Sequence, residues 1–367
     1  MTLPPLSVGP RLERLRPRFA AVDVDALLVS HLPNVRYLTG FTGSAAVVLV
    51  GPEQALLVTD GRYETQAAEQ IAGVGAAVSV EIGATQAKQQ ELLDLAIRER
   101  GYERLGLEAE AISWAGQRRL AEAFTAVELV ATKELVEELR RVKEPAEVAR
   151  IRTACEIGVE ALAVVAPSLA AGPTEQDVAL ALEVEMRRRG ASGNSFPPIV
   201  AAGPNGAQPH ARPSARPIEA EELVVLDFGC VVDGYCSDMT RTVSVGDPGA
   251  DATAIFDLVA ESQRVGSLAV RAGTECAAVD RACREVIDAA GWGEAFSHST
   301  GHGVGIEIHE APRVAATAGD TLAAGYVVTV EPGVYVPGVG GVRIEDTVVV
   351  TDDGADVLTN APKDLIL

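Results

Sequence analysis

Residues 223 to 245, LVVLDFGCVVDGYCSDMTRTVSV, leave the chain little conformational choice. Two alternating apolar runs flank Asp233-Gly234, the kind of dipeptide that most strongly specifies a two-residue β-hairpin. The turn sets the register: if Val232 pairs with Tyr235, Thr240 pairs with Asp227 and Asp238 with Gly229. Asp227 and Asp238 then share a face as diagonal neighbours, roughly 7 to 8 Å apart at the backbone. From that separation two carboxylates can converge on metals about 3.5 to 4 Å apart, provided no bulge breaks the parity. Desolvated carboxylates need a partner, and a cation is the natural one, although the hairpin alone also allows both acids to face solvent.

Two more acids lie in apolar strand patterns. Glu331 ends YVVTVE just before Pro332-Gly333, and Glu345 interrupts GVRIEDTVVV. Arg343 is two residues from Glu345 and shares its face, where it could stabilise ligating carboxylates or simply form an exposed ion pair.

Of the five histidines, His298, His302 and His309 fall within HSTGHGVGIEIHE, residues 298 to 310. Gly301, Gly303 and Gly305 argue against a helix carrying His298 and His302, and no second histidine follows His309-Glu310 to complete HExxH. Glycines here instead let the backbone approach a ligand or metal closely. A fourth histidine, His210, sits in the proline- and glycine-punctuated PPIVAAGPNGAQPHARP, and only His31 is left outside. Four carboxylates and one imidazole form a mainly oxygen-donor set, suited to Mn²⁺ or Co²⁺ rather than a structural zinc. Two such ions could share a hydroxide nucleophile and polarise a carbonyl, leaving the other histidines as proton donors or oxyanion stabilisers.

Composition narrows the classes. A formal net charge of −21 over 367 residues opposes binding to nucleic acid or an anionic membrane. The five cysteines form no CxxC pair, and no GxSxG is present, so neither a thiolate zinc site nor a serine nucleophile elbow is indicated. No apolar run approaches the about eighteen residues of a membrane span, and MTLPPLSVGPRLERLRPRFAA lacks a secretory apolar core, so a cytoplasmic location is expected.

From Arg11 to about Val130 the pattern is α/β: a helix in RLERLRPRFAAV, strands DALLVS, AAVVLV and ALLVT, then a helix in YETQAAEQIA. ELVEELRRVKEPAEVARI, with Pro145 in a first helical turn, serves as connector. Beyond it, helices are expected near 174 to 190, 251 to 272 and 275 to 290, with strands at 223 to 232, 235 to 245, 326 to 331 and 342 to 350. This alternation of hairpins and helices is α+β, an antiparallel sheet carrying helices.

These residues resemble the pita-bread-fold metallopeptidases, which include prolidase, aminopeptidase P and methionine aminopeptidase. LDFGCVVDGYCSDMTRT, HSTGHGVGIEIHE, VEPGVY and GGVRIED carry the likeness in the family's order. LRRVKEPAEVARIRTACEI, NVRYLTGFTGSAA and TDGRYETQA are similar to the prolidase and aminopeptidase P branch, so the likeness covers nearly the whole chain. It implies an N-terminal α/β creatinase-like domain over 1–131 and a pita-bread catalytic domain over 132–367, with a curved antiparallel sheet and covering helices. It implies two divalent metal ions per subunit, manganese first, with cobalt or zinc as alternatives. Asp227 would bind one ion, Asp238 and Glu345 would bridge, and His302 and Glu331 would hold the second. A metal-bridging hydroxide would attack the scissile carbonyl with Glu331 as proton shuttle. By the same likeness His210 and His309 would contact the substrate, His298 and Arg343 would support the site, and Tyr235 would buttress the aspartates or touch substrate. The implied activity is that of an Xaa-Pro dipeptidase, or alternatively aminopeptidase P, acting on proline-containing peptides as a homodimer; a non-catalytic peptide-binding relative is the remote alternative, and the intact ligand set opposes it. His31 or the loop Asn34-Val35-Arg36-Tyr37 would be a candidate contact with the partner subunit, or would serve a plain structural role.

Overall fold

A computed structural model describes residues 3–367. The chain divides into two compact units, Pro4–Arg140 and Arg141–Leu367, the latter together with Leu3.

The first unit is built on a six-stranded mixed sheet. Its spatial order is Ser79–Ile82, Ala55–Thr59, Ala46–Val50, Ala26–Val29, Arg104–Glu108, Glu128–Thr132. The short turn after Val50 makes Ala46–Val50 and Ala55–Thr59 an antiparallel hairpin, while the outer strands add in parallel after helical crossovers. Leu28, Leu49, Val58, Leu105, Leu107 and Phe124 fill the core against helix Gln86–Glu99, which contributes Leu93 and Ile97.

Residues 34 to 37, read as a loop with either a partner contact or a structural role, lie instead in the helix Leu32–Thr39. Asn34, Val35 and Tyr37 are buried, so three of those four side chains serve this unit. The Asn34 amide donates to Glu108 (2.8 Å) and Glu137 (2.5 Å), and its carbonyl accepts from Arg140 (2.7 Å). The unit runs on to Arg140, which Asn34 holds, rather than ending after residue 131.

In the second unit, among the described residues, every paired strand runs antiparallel to its neighbour. The Asp233-Gly234 turn forms as its sequence dictates, both residues taking positive φ (43° and 76°). Register follows from the turn: Val232 opposes Tyr235 and Thr240 opposes Asp227, with parity kept through the break at Gly229. One face of the hairpin, bearing Phe228, Cys230, Val232 and Met239, packs on helices Pro145–Val165 and Glu175–Arg188 through Ala154, Ile157, Val178, Leu182 and Met186. Two further helices, Ala250–Ala269 and Cys276–Ala289, cover Val328, Val330, Val342, Val348 and Val350 in a second core.

Helix Pro145–Val165 begins as its sequence requires. Pro145 has no N–H to leave unpaired, and Glu144 and Glu147 form a reciprocal capping box. With its 3₁₀ extension to Ala171 it is long and apolar enough to cross a membrane by length and composition, contrary to the sequence expectation. Its apolar residues recur at helical spacing, so they do not form a continuous apolar run, and half of its most apolar stretch is buried within the protein.

Candidate metal centre

The hairpin face opposite the helices carries Asp227 and Asp238, 8% and 5% exposed. Glu331 immediately follows the strand Val327–Val330, and Glu345 immediately precedes Asp346–Val350, two strands paired side by side. His302 lies in the short strand Gly301–Gly303, which pairs with Val327–Val330. A side chain at Gly301 would place a Cβ 2.0 Å from the Thr329 carbonyl oxygen, so only glycine lets the histidine strand lie this close.

Ligand atoms of Asp238, His302 and Glu345 all lie within 4.8 Å of one another. His302 Nδ1 is 3.0 Å from the Gly303 carbonyl, a contact only an N–H can make favourably, so Nδ1 carries the proton and Nε2 presents a lone pair. That lone pair faces Asp238 Oδ2 at 3.5 Å and Glu331 Oε1 at 3.4 Å. Burial pushes the imidazole down to about 4, so at neutral pH it adds no proton to offset the acids.

The acids are strained in the same sense. Burial, followed by the charges of Glu345, Asp227 and Glu331, holds Asp238 well above the usual carboxylate range. Glu345 is raised likewise by burial and then by Glu331 and Asp227, and burial first of all lifts Glu331 to about 8. Asp227 Oδ1 and Glu345 Oε1 are buried without a hydrogen-bond partner. Three converging acceptors, two orphaned carboxylate oxygens and a neutral imidazole fit divalent cations, whose charge would reverse each of these penalties.

Arg343 is buried (3% exposed), and its partner is Asp227 rather than Glu345: Nη2 donates to Asp227 Oδ2 at 2.5 Å, leaving Oδ1 free for a cation. Nη1 donates to the Tyr335 hydroxyl (2.6 Å) and the Pro209 carbonyl (3.2 Å), and Nε to Thr240 Oγ1 (3.2 Å). His298 Nδ1 donates to the Ser299 carbonyl (2.8 Å), so its Nε2 accepts the Tyr335 hydroxyl at 2.9 Å. Burial pushes Tyr335 up to about 12 and His298 down to about 4, which keeps both neutral in this relay.

His309 and His210 are exposed. The His309 ring meets that of His302 edge-on at 4.4 Å, and burial followed by neighbouring His210 lowers its pKa. The arrangement is a buried bed of acids with imidazoles at its solvent edge.

Tyr235 lies elsewhere. It is 1% exposed and donates its hydroxyl to Glu147 Oε1 (2.8 Å) on helix Pro145–Val165. The cause is parity: the register that unites Asp227 with Asp238 turns Tyr235, opposite Val232, to the core face. A substrate contact or a direct buttress to the aspartates is therefore not what this residue makes.

Sequence reasoning missed Tyr335 and a layer of threonines. Thr240 donates to Glu345 Oε2 (2.7 Å), Thr329 to Glu331 Oε1 (3.3 Å), and Thr347 to the Asp238 carbonyl (2.7 Å). Thr240, Thr329 and Thr347 each sit two residues from an acid of the site, Asp238, Glu331 and Glu345, so period-two spacing was the available signal.

Comparison with known proteins decides the family. Residues 149–352 match metallopeptidase family M24, and residues 11–142 match the creatinase/prolidase N-terminal domain.

The chain belongs to metallopeptidase family M24.

Its fold is accordingly a creatinase-type N-terminal domain followed by an M24 pita-bread domain. An Xaa-Pro dipeptidase from Bacillus anthracis superposes with a TM-score of 0.93 at 39% identity, over 97% of this chain and 99% of that one. An Xaa-Pro dipeptidase of Pyrococcus furiosus is 34% identical over 97% of this chain and 99% of its own length. The structure of an X-Pro aminopeptidase from Thermotoga maritima covers 97% of this chain and 100% of its own, with a TM-score of 0.88 at 33% identity. Membership of M24 implies a divalent metal, with which the buried Asp238, His302 and Glu345 group is consistent.

Proposed function

We propose that this M24 member is a cytoplasmic Xaa-Pro dipeptidase that holds two divalent ions, manganese first, and hydrolyses the bond before a C-terminal proline. The observation that carries the proposal is the His302 Nε2 lone pair aimed at Asp238 and Glu331, with Glu345 alongside and two exposed histidines at the rim. Dipeptidases among the similar proteins support the substrate class.

Asp227, Asp238, His302, Glu331 and Glu345 would hold the ions. When bound, the ions supply Lewis acidity at the scissile carbonyl and a competent nucleophile at neutral pH. Glu331, whose Oε1 lies 3.4 Å from His302 Nε2, is the carboxylate that would take up and return the proton. His309 and His210 would orient the substrate and donate hydrogen bonds to its carbonyl as charge develops there. Arg343, fixed by Tyr335 and through it by His298, would hold the Asp227 carboxylate in place through its Oδ2. A dedicated pocket suits an Xaa-Pro bond, which lacks an N–H and has a ring-fixed φ.

Aminopeptidase P is the second reading, favoured by the Thermotoga maritima likeness. Chelated protein reloaded with Mn²⁺ should cleave Xaa-Pro dipeptides with kcat/KM well above that for Xaa-Pro-Xaa tripeptides. Trimming of tripeptides without cleavage of any dipeptide would establish aminopeptidase P instead. Elemental analysis should return two metal ions per chain, and light scattering a homodimer.

A further inference from the structure

The turn between His302 and His309 is closed by an ion pair that takes no part in the metal-facing set. Glu310 opposes Gly303 across the ladder, at the register shift between His302 and Gly303. Its Oε1 accepts the Glu307 N–H (3.0 Å) and its Oε2 accepts from Lys143 Nζ (3.1 Å), with the two side chains 7% and 2% exposed. The carboxylate fills the space over Gly305, where a Cβ would come within 2.4 Å of Oε2. Gly305 in turn donates its N–H to the Glu307 carbonyl (3.0 Å) and accepts from the Cys236 N–H (2.8 Å), which ties the turn to the hairpin bearing Asp238. Lys143 is anchored separately, its N–H bonded to the Gly325 carbonyl at 2.8 Å.

We infer that Lys143 and Glu310 are positioning residues: the pair closes the 304–310 turn and thereby sets the His309 imidazole against His302 and the bound substrate. A buried ion pair is a poor source of stability, since apolar groups of the same volume usually hold a fold as well. What it supplies here is direction, because Glu310 closes a turn whose two ends carry functional imidazoles. A displacement of about 1 Å at such a group can cost on the order of a hundredfold in rate.

The catalytic half of this inference rests on the function proposed above; the structural half does not. The test compares Glu310→Gln, Lys143→Met and the double variant with the parent full-length protein. Three quantities are read: melting temperature, kcat and KM on an Xaa-Pro dipeptide with Mn²⁺, and amide exchange of residues 304–310 without metal. Each single variant should exchange faster in the turn and lose at least about tenfold in kcat with KM within about twofold. Each breaks the buried Lys143–Glu310 contact while its other charge stays in place, so each should also melt earlier; the double variant should regain melting temperature while kcat and turn protection stay low. Recovery of kcat together with melting temperature would overturn the inference, leaving the pair a structural element only. So would unchanged exchange in both single variants. If the parent cleaves no proline peptide, the proposed function fails, and turn exchange in the double variant alone decides the inference: restored protection overturns it, persistent loss upholds it.

Discussion

On the proposed reading, Asp238 is a residue the site needs and the fold does not. Its side chain faces His302 and the other acids, while its backbone carbonyl takes the Thr347 hydroxyl. Asp238→Asn therefore replaces one carboxylate oxygen with an amide nitrogen without touching the bond that seats the strand. Hydrolysis should fall by about two to three orders of magnitude, comparable to losing a principal transition-state contact. The metal-free variant should melt no lower than the parent, because burial and neighbouring acids already keep this carboxyl above its usual range. Steady-state kinetics beside a thermal melt check both halves, and retained turnover would count against the assignment. Arg343 marks the limit of reading single residues from the sequence: Glu345 is its neighbour in the chain, yet it pairs with Asp227, 116 residues away. No local periodicity encodes that choice.

At the scale of elements, legibility followed the range of the forces. The hairpin register was readable because Asp233-Gly234 dictates it locally, and the same parity would have assigned Tyr235 to the core had it been applied there. The end of the first unit was less readable, since Arg140 is held by Asn34 across 106 residues. The glycines around His302 were readable as a device for close approach, though not what they approach: Gly301 lies against the Thr329 carbonyl and Gly303 against that of Ala311. Gly301→Ala should push the histidine strand away from Val327–Val330 at a cost of about 1–3 kcal/mol, typical of overpacking. Binding of the metal proposed at His302 should weaken more than the fold does. Calorimetric titration with Mn²⁺ against a melting curve separates the two, and an unchanged affinity would contradict the packing argument.

For the whole molecule, the crowded acids predict how stability depends on pH without metal. A carboxyl raised to about 8 keeps its proton in the folded chain while the unfolded chain has released it, so stability falls as pH rises through that window. The buried histidines oppose this at lower pH: lowered to about 4 from an ordinary 6.5, they favour folding as pH rises between those values. Between about 6.5 and about 8 the histidines are neutral in both states and the acids act alone. Chelated protein should therefore lose melting temperature across that interval, and divalent metal should flatten the slope, stabilising more at the upper end. Melts at several pH values with and without Mn²⁺ would show it; a chelated protein with a flat profile would mean the acids are not held protonated.

The two-sided hairpin has a consequence for descent. Phe228, Cys230, Val232 and Met239 build the core from one face, while Asp227 and Asp238 gather the acids on the other, and alternation along the same strands keeps the two sets apart. Substitutions can accumulate on the reactive side without passing through an unfolded ancestor. Losing an acid there even relieves repulsion, so inherited chemistry is easier to erase than inherited shape. The architecture can outlast the reaction it carries.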